Sequence, residues 1–179
     1  MNDIETPRLV LRPFTLDDAA FIVELLHEPG WKQFIGDRGV RDLESARGYI
    51  QRALLDAYAK QGFGLLAVTA REDGTPLGMC GLLQREGLAD VDIGFALLSR
   101  YEGQGFAHEA AAATLVYARD VVGIRRVVAI TAVNNHRSAK LLQRLGMTYE
   151  QTIYLQQDAE PLHLYAIDLI PATANPAPL

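Results

Sequence analysis

The alternation of apolar and polar positions predicts a strand followed by a helix at the start of the chain. Residues 8–14 alternate with the period of a half-buried strand. Residues 15–18, Thr-Leu-Asp-Asp, have the form of a capping box, which begins a helix. The inward side chains of this helix are predicted to be Ile22, Leu25 and Leu26.

A second helix is predicted after an irregular segment. Pro29 and Gly30 end the first helix, and residues 30–40 show no regular period. Asp42 is a favourable N-cap for the next helix. The apolar stripe of that helix is predicted at Ala46, Ile50, Ala53 and Ala57.

The middle of the chain has the pattern of an antiparallel meander. Residues 63–71 and 76–84 are apolar runs separated by Asp-Gly at positions 73–74, which is a strong signal for a hairpin. A further turn at positions 86–87, Glu-Gly, leads to a third strand over residues 90–98. These three strands should therefore pair in sequence order.

The next segment predicts a crossover to a parallel strand. Residues 105–122 form a predicted helix that ends at Gly123. Residues 126–133 are β-branched and too apolar for an edge strand, and the helix before them makes this strand parallel to the strand at 90–98. The inward face of the helix is predicted to consist of Phe106, Ala110, Ala113, Tyr117 and Val121.

The last elements complete one domain. Asn135 caps a helix that stops at Gly146, and residues 147–157 and 162–170 predict a final antiparallel pair. The fold class is therefore α/β, with α+β character. Its sheet is mixed, largely antiparallel and twisted, with about six or seven strands and about four helices.

Composition sets the domain count and excludes several classes of partner. The length of 179 residues fits one domain over residues 1–170, followed by a flexible tail at 171–179 that is rich in Pro and Ala. With 49% hydrophobic and 22% charged residues and no apolar run that could span a bilayer, we expect no membrane partner.

The acidic N-terminus does not resemble a signal peptide, so a cytoplasmic location is expected. A formal charge of −5 argues against nucleic acid, and either a monomer or a homodimer is compatible with the sequence.

Metal and thiol chemistry are not expected. Cys80, the single cysteine, has apolar neighbours that predict a buried strand position rather than a nucleophile. The four histidines lack the spacing of metal ligands.

A glycine turn between a strand and a helix is the strongest chemical signal. Gly103 and Gly105 follow the strand at 90–98, and the next helix begins at once. Free N–H groups at a helix N-terminus and glycines that adopt positive φ form an anion site. A third glycine of the dinucleotide fingerprint and a P-loop Lys-Ser/Thr pair are both missing from this turn. The functional interpretation of this turn is that it binds a diphosphate, mainly through backbone groups. The alternative is that it is a plain strand-to-helix connection without a ligand.

Two carboxylates lie on the strand before this turn. Asp90 and Asp92 share a face with Gly94 and Ala96, whose small side chains leave room for a ligand. A solvated charge at a strand end is the preferred interpretation for Asp90. For Asp92 that interpretation and a role in chemistry both stay open.

These motifs resemble those of the GNAT N-acetyltransferase superfamily. The pattern R-x-x-G-x-G/A of its acetyl-CoA pyrophosphate loop is present at Arg100, Gly103, Gly105 and Ala107. A second family segment is similar to Asn135-x-x-Ser138 followed by Leu141, Leu145, Gly146 and Met147. The likeness runs from E-T-P-R-L-V-L-R-P-F to H-L-Y-A-I-D-L, and is greatest to the branch that includes the ribosomal-protein N-terminal acetyltransferases RimJ and RimL.

The resemblance implies a cofactor site between two splayed strands. In the family the strands corresponding to 90–98 and 126–133 diverge, and the pantetheine arm of acetyl-CoA lies between them. A backbone N–H within residues 95–98 would polarise the thioester carbonyl. The cofactor-binding residues implied by the motif are Ala96, Leu97, Leu98, Arg100, Gly103, Gln104, Gly105, Phe106, Ala107, His108, Asn135 and Ser138.

The resemblance also implies catalytic roles. Asp92 matches an acidic position that serves some members as a base, directly or through water. The helix tyrosine often used as general acid corresponds to Leu142 here, so Ser138 or a bound water is the candidate to support the leaving thiolate. Asn135 and Ser138 are equally explained as a helix cap and a residue of the first helical turn.

The implied function is direct transfer of an acetyl group from acetyl-CoA to a primary amine in a ternary complex. A non-catalytic acyl-CoA-binding or regulatory module with the same fold is the alternative. The acceptor stays open among a protein N-terminus, a polyamine, an amino sugar and an amino acid. In the family the two N-terminal helices close over the acceptor, whereas in this chain they could equally be a lid on the core.

Overall fold

The structure, a computed structural model, describes residues 2–157 and 159–170. Eight strands form one sheet in the order β1-β2-β3-β4-β5-β6-β8-β7. They are β1 (Ile4–Glu5), β2 (Leu9–Arg12), β3 (Leu65–Ala70), β4 (Pro76–Leu83), β5 (Val91–Leu97), β6 (Arg126–Ala132), β7 (Thr148–Ile153) and β8 (Leu162–Asp168). All neighbours pair antiparallel except β5 and β6, which confirms the predicted mixed sheet and the predicted crossover. The strand that the sequence did not predict is β1, whose two residues are too few to show a period.

Helices cover both faces of the sheet. They are α1 (Ala19–His27), α2 (Pro29–Phe34), α3 (Leu43–Tyr49), α4 (Asp56–Gln61), α5 (Phe106–Tyr117) and α6 (His136–Arg144). A π-helical segment, Ile50–Leu55, joins α3 to α4 without a break, and a second one, Ala118–Val122, extends α5 to the predicted end at Gly123. Short 3₁₀ turns, Leu16–Asp18 and Ser99–Tyr101, precede α1 and follow β5.

The prediction of an irregular segment over residues 30–40 is wrong in its first part, where α2 forms. Pro29 stands in the first helical turn, where its missing N–H costs nothing. Trp31 is 5% exposed, and its Nε1 donates to the carbonyl oxygen of Gly36 over 3.1 Å. The Pro-Gly pair is typical of a loop, but burial of the indole stabilises a short helix at this position.

The predicted stripe of the second helix is correct only in its first half. Ala46 and Ile50 are fully buried, but the next buried position is Leu54 rather than Ala53. The π-helical segment has more residues per turn than an α-helix, so the inward position moves one residue along the chain. Ala57 is consequently only partly buried.

The predicted inward face of α5 is correct only in part: Ala110 is fully buried, and Phe106 and Tyr117 pack against the same apolar cluster. Val121 is 69% exposed, and Phe106, Ala113 and Tyr117 are only partly buried. The buried positions are Ala110, Ala111, Thr114, Leu115 and Ala118. Small side chains let the helix lie close to the sheet, and the Thr114 hydroxyl is satisfied by the Ala110 carbonyl at 2.9 Å, so a threonine on the inner face costs little.

Two apolar clusters lie on opposite faces of the sheet. The α5 face contains Leu66 and Cys80, whereas the α1–α4 face contains Ala67 and Met79, as expected from the alternation of side chains along β3 and β4. Cys80 is fully buried, which confirms its predicted position, and burial raises the pKa of its thiol to about 12. A thiol in this state is a packing group rather than a nucleophile.

The sheet opens between β5 and β6. These strands pair only at Val91 with Val127 and at Asp92 with Val128, and beyond this point they separate. On the far side of each strand the pairing with β4 and with β8 continues. The opening therefore lies in the middle of the sheet, at the ends from which α5 and α6 begin.

Two further findings bear on the predictions from composition. Within residues 2–157 and 159–170, no helix is long and apolar enough to cross a membrane. The predicted tail at 171–179 lies outside the described residues.

Candidate functional site

The turn after β5 has the predicted backbone conformation. Gly103 has φ of 74° and Gly105 has φ of 83°, both in the left-handed region that favours glycine. Gly105 is the N-cap of α5, and no side chain in the described part of the chain caps the helix. A Cβ at Gly103 would meet no atom within 4 Å, so this glycine is required by its backbone angles and not by crowding within the fold.

A row of unpaired amides lies in this turn and at the start of α5. The first amide of α5 with a backbone partner belongs to Glu109, which donates to the Gly105 carbonyl over 3.0 Å. Within the described part of the chain, the N–H groups of residues 103–108 donate no hydrogen bond. Together with the positive end of the helix dipole, this row is suited to bind an anion such as a diphosphate.

Arg8 fastens the turn to the body of the protein, a role that the sequence did not indicate. Its Nη1 donates to the Gln104 carbonyl over 3.0 Å, and its Nε donates to Glu109 Oε2 over 2.6 Å. The guanidinium carbon lies 4.4 Å from the ring centroid of Phe106. Arg8 therefore contacts three residues around the row of amides and adds positive charge beside them.

Two of the residues implied by the motif point elsewhere. The Arg100 side chain is exposed and lies 2.5 Å from Glu24 of α1, rather than against the amides. The His108 side chain lines a separate hollow together with Arg144 and Leu145. For His108, only the backbone N–H belongs to the row.

The last residues of β5 line the opening of the sheet. Leu97 pairs with Gly78 of β4, and the Leu98 amide donates to Leu77 over 2.9 Å. On the β6 side, residues 93–97 have no partner strand within the described ranges 2–157 and 159–170. Their main-chain groups on that side, including those of Ala96, are open to an extended ligand that could pair as a strand does.

Asp92 lies where the two strands begin to separate, and its carboxylate is buried. The residue is 1% exposed, and its Oδ2 accepts a hydrogen bond from Arg85 Nε at 2.9 Å. Oδ1 is also buried and has no hydrogen-bond partner among the residues that the structure describes. Burial raises the pKa of Asp92 to about 6, against the opposing effects of Arg85 and of the Ile130 amide. A buried carboxylate with one unpaired oxygen is costly for stability, which is typical of a functional group.

Asp90 has a different environment from Asp92. Arg126 Nε donates to Asp90 Oδ2 over 3.0 Å, and the same guanidinium binds Glu150 and Asp168. Asp90 is thus a partly exposed member of an ion-pair cluster, in agreement with the preferred interpretation from the sequence.

Asn135 and Ser138 stand at the start of α6, where β6 ends. Asn135 Oδ1 accepts from the Ser138 amide over 3.2 Å, which confirms the N-cap. The Ser138 hydroxyl makes no hydrogen bond within the described residues and is partly exposed, so it is free to contact a ligand. Leu142 is 1% exposed and packs in the core, so this position presents no polar group to the opening.

Arg85 is a second residue that sequence reasoning missed. It follows β4, and the hairpin register that pairs Leu83 with Asp92 brings its guanidinium to the Asp92 carboxylate. The signal was the predicted hairpin itself, since a basic residue just beyond one strand can reach an acidic residue on the other.

Among the described residues, no group of three or more His, Cys, Asp or Glu side chains could hold a metal ion.

The geometry brings together three features for chemistry. Unpaired amides that can hold an anion stand at one end of an open strand edge, and a buried carboxylate stands at the other. A free hydroxyl lies at the start of α6, across the opening. Such a site can bind a phosphorylated, extended ligand and accept a proton beside it.

This fold and site place the protein among the acetyltransferases. The acetyltransferase (GNAT) domain matches residues 8–148, and the chain belongs to this family. A curated relative, an uncharacterised N-acetyltransferase YoaA of Bacillus subtilis (strain 168), is 26% identical over 162 residues, which covers 88% of this chain and 90% of the relative.

Solved acetyltransferases share the whole fold. The acetyltransferase from Agrobacterium tumefaciens strain C58 superposes with a TM-score of 0.80 at 25% identity, covering 94% of this chain and 95% of its own. RimL, a ribosomal L7/L12 alpha-N-protein acetyltransferase solved in complex with coenzyme A, also gives a TM-score of 0.80, at 20% identity, and covers 94% of this chain and 98% of its own. The similarity to the RimL branch that the motifs suggested is thus confirmed at the level of fold.

Proposed function

We propose that the protein transfers an acetyl group from acetyl-CoA to a primary amine, directly and in a ternary complex. The observation that carries this proposal is the opening between β5 and β6, which runs from the buried Asp92 carboxylate to the unpaired amides of residues 103–108. Acyl transfer needs the donor and the amine held side by side, with a proton acceptor near the amine.

The main chain is well suited to hold acetyl-CoA. The amides of residues 103–108 would bind its diphosphate, with Arg8 adding positive charge. The open edge at Ala96, Leu97 and Leu98 would pair with the pantetheine arm. Bound acetyl-CoA supplies the activated acetyl group, and the protein's own residues orient it and exclude water.

Asp92 is the proposed base. With a pKa near 6, its carboxylate is mostly ionised at neutral pH and can still accept a proton. Because both carboxylate oxygens are buried, transfer through a water molecule at Oδ1 fits better than direct contact with the amine. Arg85 holds Oδ2 and so fixes the direction in which Oδ1 points.

The remaining steps fall to backbone and hydroxyl groups. A main-chain N–H near the end of β5 would polarise the thioester carbonyl, because the β6 side of this strand lacks a partner. The Ser138 hydroxyl would support the departing thiolate, since Leu142 presents no hydroxyl.

Product formation tests the proposal. Purified protein should be incubated with saturating acetyl-CoA and a panel of amines, with mass detection of a 1:1 acetylated product. The matched control is Gly105→Val, which strains a backbone φ of 83° and blocks the approach of a phosphate without altering Asp92. Binding of acetyl-CoA without acetylation of any amine would favour the non-catalytic module.

A further inference from the structure

We propose that the acceptor amine carries an anionic group, such as a carboxylate near its reactive nitrogen, and that Arg38 binds this group. The inference rests on the proposed function and names the acceptor class within it. It follows from the charge of a cavity that lies on the Asp92 face of the sheet.

The cavity lies beside the end of α1. Its volume is about 430 Å³, which suits a small molecule or the first residues of a peptide. Leu26 and Val40 line it and belong to the apolar cluster that packs against Ala96 of β5. Since Ala96 and Asp92 point to the same face of β5, the cavity and the carboxylate lie on one side of the sheet.

The charge of the cavity is positive. Its charged lining residues are Lys32, Asp37, Arg38 and Arg41. The negative charge of Asp37 is paired with Arg41. Its two oxygens accept hydrogen bonds from Arg41 at 2.9 and 2.5 Å, and Oδ1 also accepts from the Gly39 amide at 2.8 Å. Within the part of the chain that the structure describes, neither Lys32 nor Arg38 forms an ion pair. Two cations are thus available to a ligand.

Tyr49 lies on the same face of the sheet as the cavity and Asp92. This partly buried tyrosine of α3 packs in the same apolar cluster. Burial raises the pKa of its hydroxyl, while the charges of Arg38 and Arg85 both act to lower it. Arg85 in turn binds Asp92 at 2.9 Å. Arg38 lines the cavity on the face of the sheet to which Asp92 points, so an amine that approaches Asp92 from this cavity passes the Arg38 guanidinium.

These cations favour one class of acceptor over another. A guanidinium without a partner gains a charge-assisted hydrogen bond from a carboxylate, often in a bidentate form. The same charges disfavour an acceptor with several ammonium groups, such as a polyamine. They also lower the pKa of a nearby amine and so increase its neutral, reactive fraction.

Two sources could supply this chemistry, a free amino acid and the N-terminus of an acidic peptide. The test measures kcat/KM for matched pairs that differ only in charge. One pair is an amino acid and its carboxamide, and the other is a short peptide with Glu at its second position and the same peptide with Gln. We expect about a tenfold preference for the anionic member of at least one pair, expressed mainly in KM, as one charge-assisted hydrogen bond would produce.

The variant Arg38→Gln should reduce this preference ratio to near one. The matched control is Lys60→Gln, which removes an exposed positive charge from α4 outside the cavity and should keep the ratio of the wild type. Equal rates for both members of both pairs, or an unchanged ratio in Arg38→Gln, would overturn the inference and leave the proposed function standing. If no member of either pair is acetylated while another amine of the panel is, the inference is overturned and the proposed function stands; if no amine at all is acetylated, the proposed function is refuted as well.

Discussion

The guanidinium of Arg8 lies 2.6 Å from Oε2 of Glu109 and ties the start of β2 to the first turn of α5. Glu109 also accepts hydrogen bonds from the Thr6 hydroxyl at 2.7 Å and from the Arg8 amide at 2.9 Å. Arg8 also binds the Gln104 carbonyl, so these contacts fix the position of the turn that carries the row of amides. A site that binds by its backbone depends on such external support, because its own amides must stay unpaired.

We predict that Glu109→Ala destabilises the fold by about 1 to 3 kcal/mol, because it leaves three donors, the Thr6 hydroxyl and the amide and Nε of Arg8, without their acceptor. Burial acts to raise the pKa of Glu109, but hydrogen bonds from Thr6 and Arg8 outweigh it, and the pKa in the folded state is lowered. This stabilisation is therefore present above the ordinary pKa of 4.5 and is lost as the pH falls through the lower, folded value.

Urea denaturation of the wild type and Glu109→Ala between about pH 3 and pH 7 measures this effect. Asp120→Ala is the control, since Asp120 forms only an exposed pair with its neighbour Arg119 and should change stability by less than about 1 kcal/mol. Equal stability of Glu109→Ala and the wild type at neutral pH would show that these contacts do not hold the turn.

Gly103→Ala should weaken acetyl-CoA binding at least tenfold, since the change forces a side chain into a left-handed backbone at the row of amides. Gly74→Ala is a matched control. Gly74 has φ of 75°, against 74° for Gly103, and a Cβ at either position meets no atom within 4 Å. Urea denaturation should thus give similar losses of stability in both variants, whereas calorimetric titration should show a loss of acetyl-CoA affinity only in Gly103→Ala. Equal affinities would mean that the turn does not bind the cofactor.

Asp92→Asn should lower turnover by about 10² to 10⁴ at neutral pH with nearly unchanged acetyl-CoA affinity, because the base is lost. Activity should recover as the pH approaches the pKa of the amine, since a neutral amine no longer needs a base. Steady-state rates between about pH 6 and pH 9 measure both effects. Turnover equal to that of the wild type throughout this range would exclude Asp92 as the base.

Arg85→Gln should shift the acid limb of the pH profile toward higher pH. The wild-type kcat/KM should fall as the pH drops below about 6, where Asp92 becomes protonated. Arg85 lowers the pKa of Asp92, so its removal raises that pKa further and protonates the base at a higher pH. Arg85→Lys keeps the charge and should shift the limb less. A profile that is unchanged in Arg85→Gln would mean that another group controls the limb.

Local chemistry let the sequence predict most elements and the backbone part of the site. The Asp42 cap, the Asp-Gly hairpin and the glycines at 103 and 105 act on their own neighbours in the chain, and all have the predicted conformation. The caps at Asp42 and Asn135 accept from amides three residues ahead, so a short stretch of sequence specifies them completely. Residues distant in the chain are not needed to form these two caps.

The faces of the helices were harder to predict, because packing selects them. The π-helical segment moves burial from Ala53 to Leu54, and the alanines of α5 are buried because the sheet lies close to them. Neither effect follows from the period of the sequence. The same holds for α2, where burial of Trp31 outweighs the turn tendency of the Pro-Gly pair.

The sequence by itself determined where free amides, small residues and a candidate carboxylate stand along the chain, because turns, caps and strand periods depend on residues a few positions apart. The tertiary structure decided what these groups can do. Only the separation of β5 from β6 opens the strand edge, and only burial beside Arg85 raises the pKa of Asp92 to about 6. The contact of Arg8 with Glu109 joins residues that are 101 positions apart. Such long-range contacts depend on how the elements pack, and no local pattern of side chains encodes them.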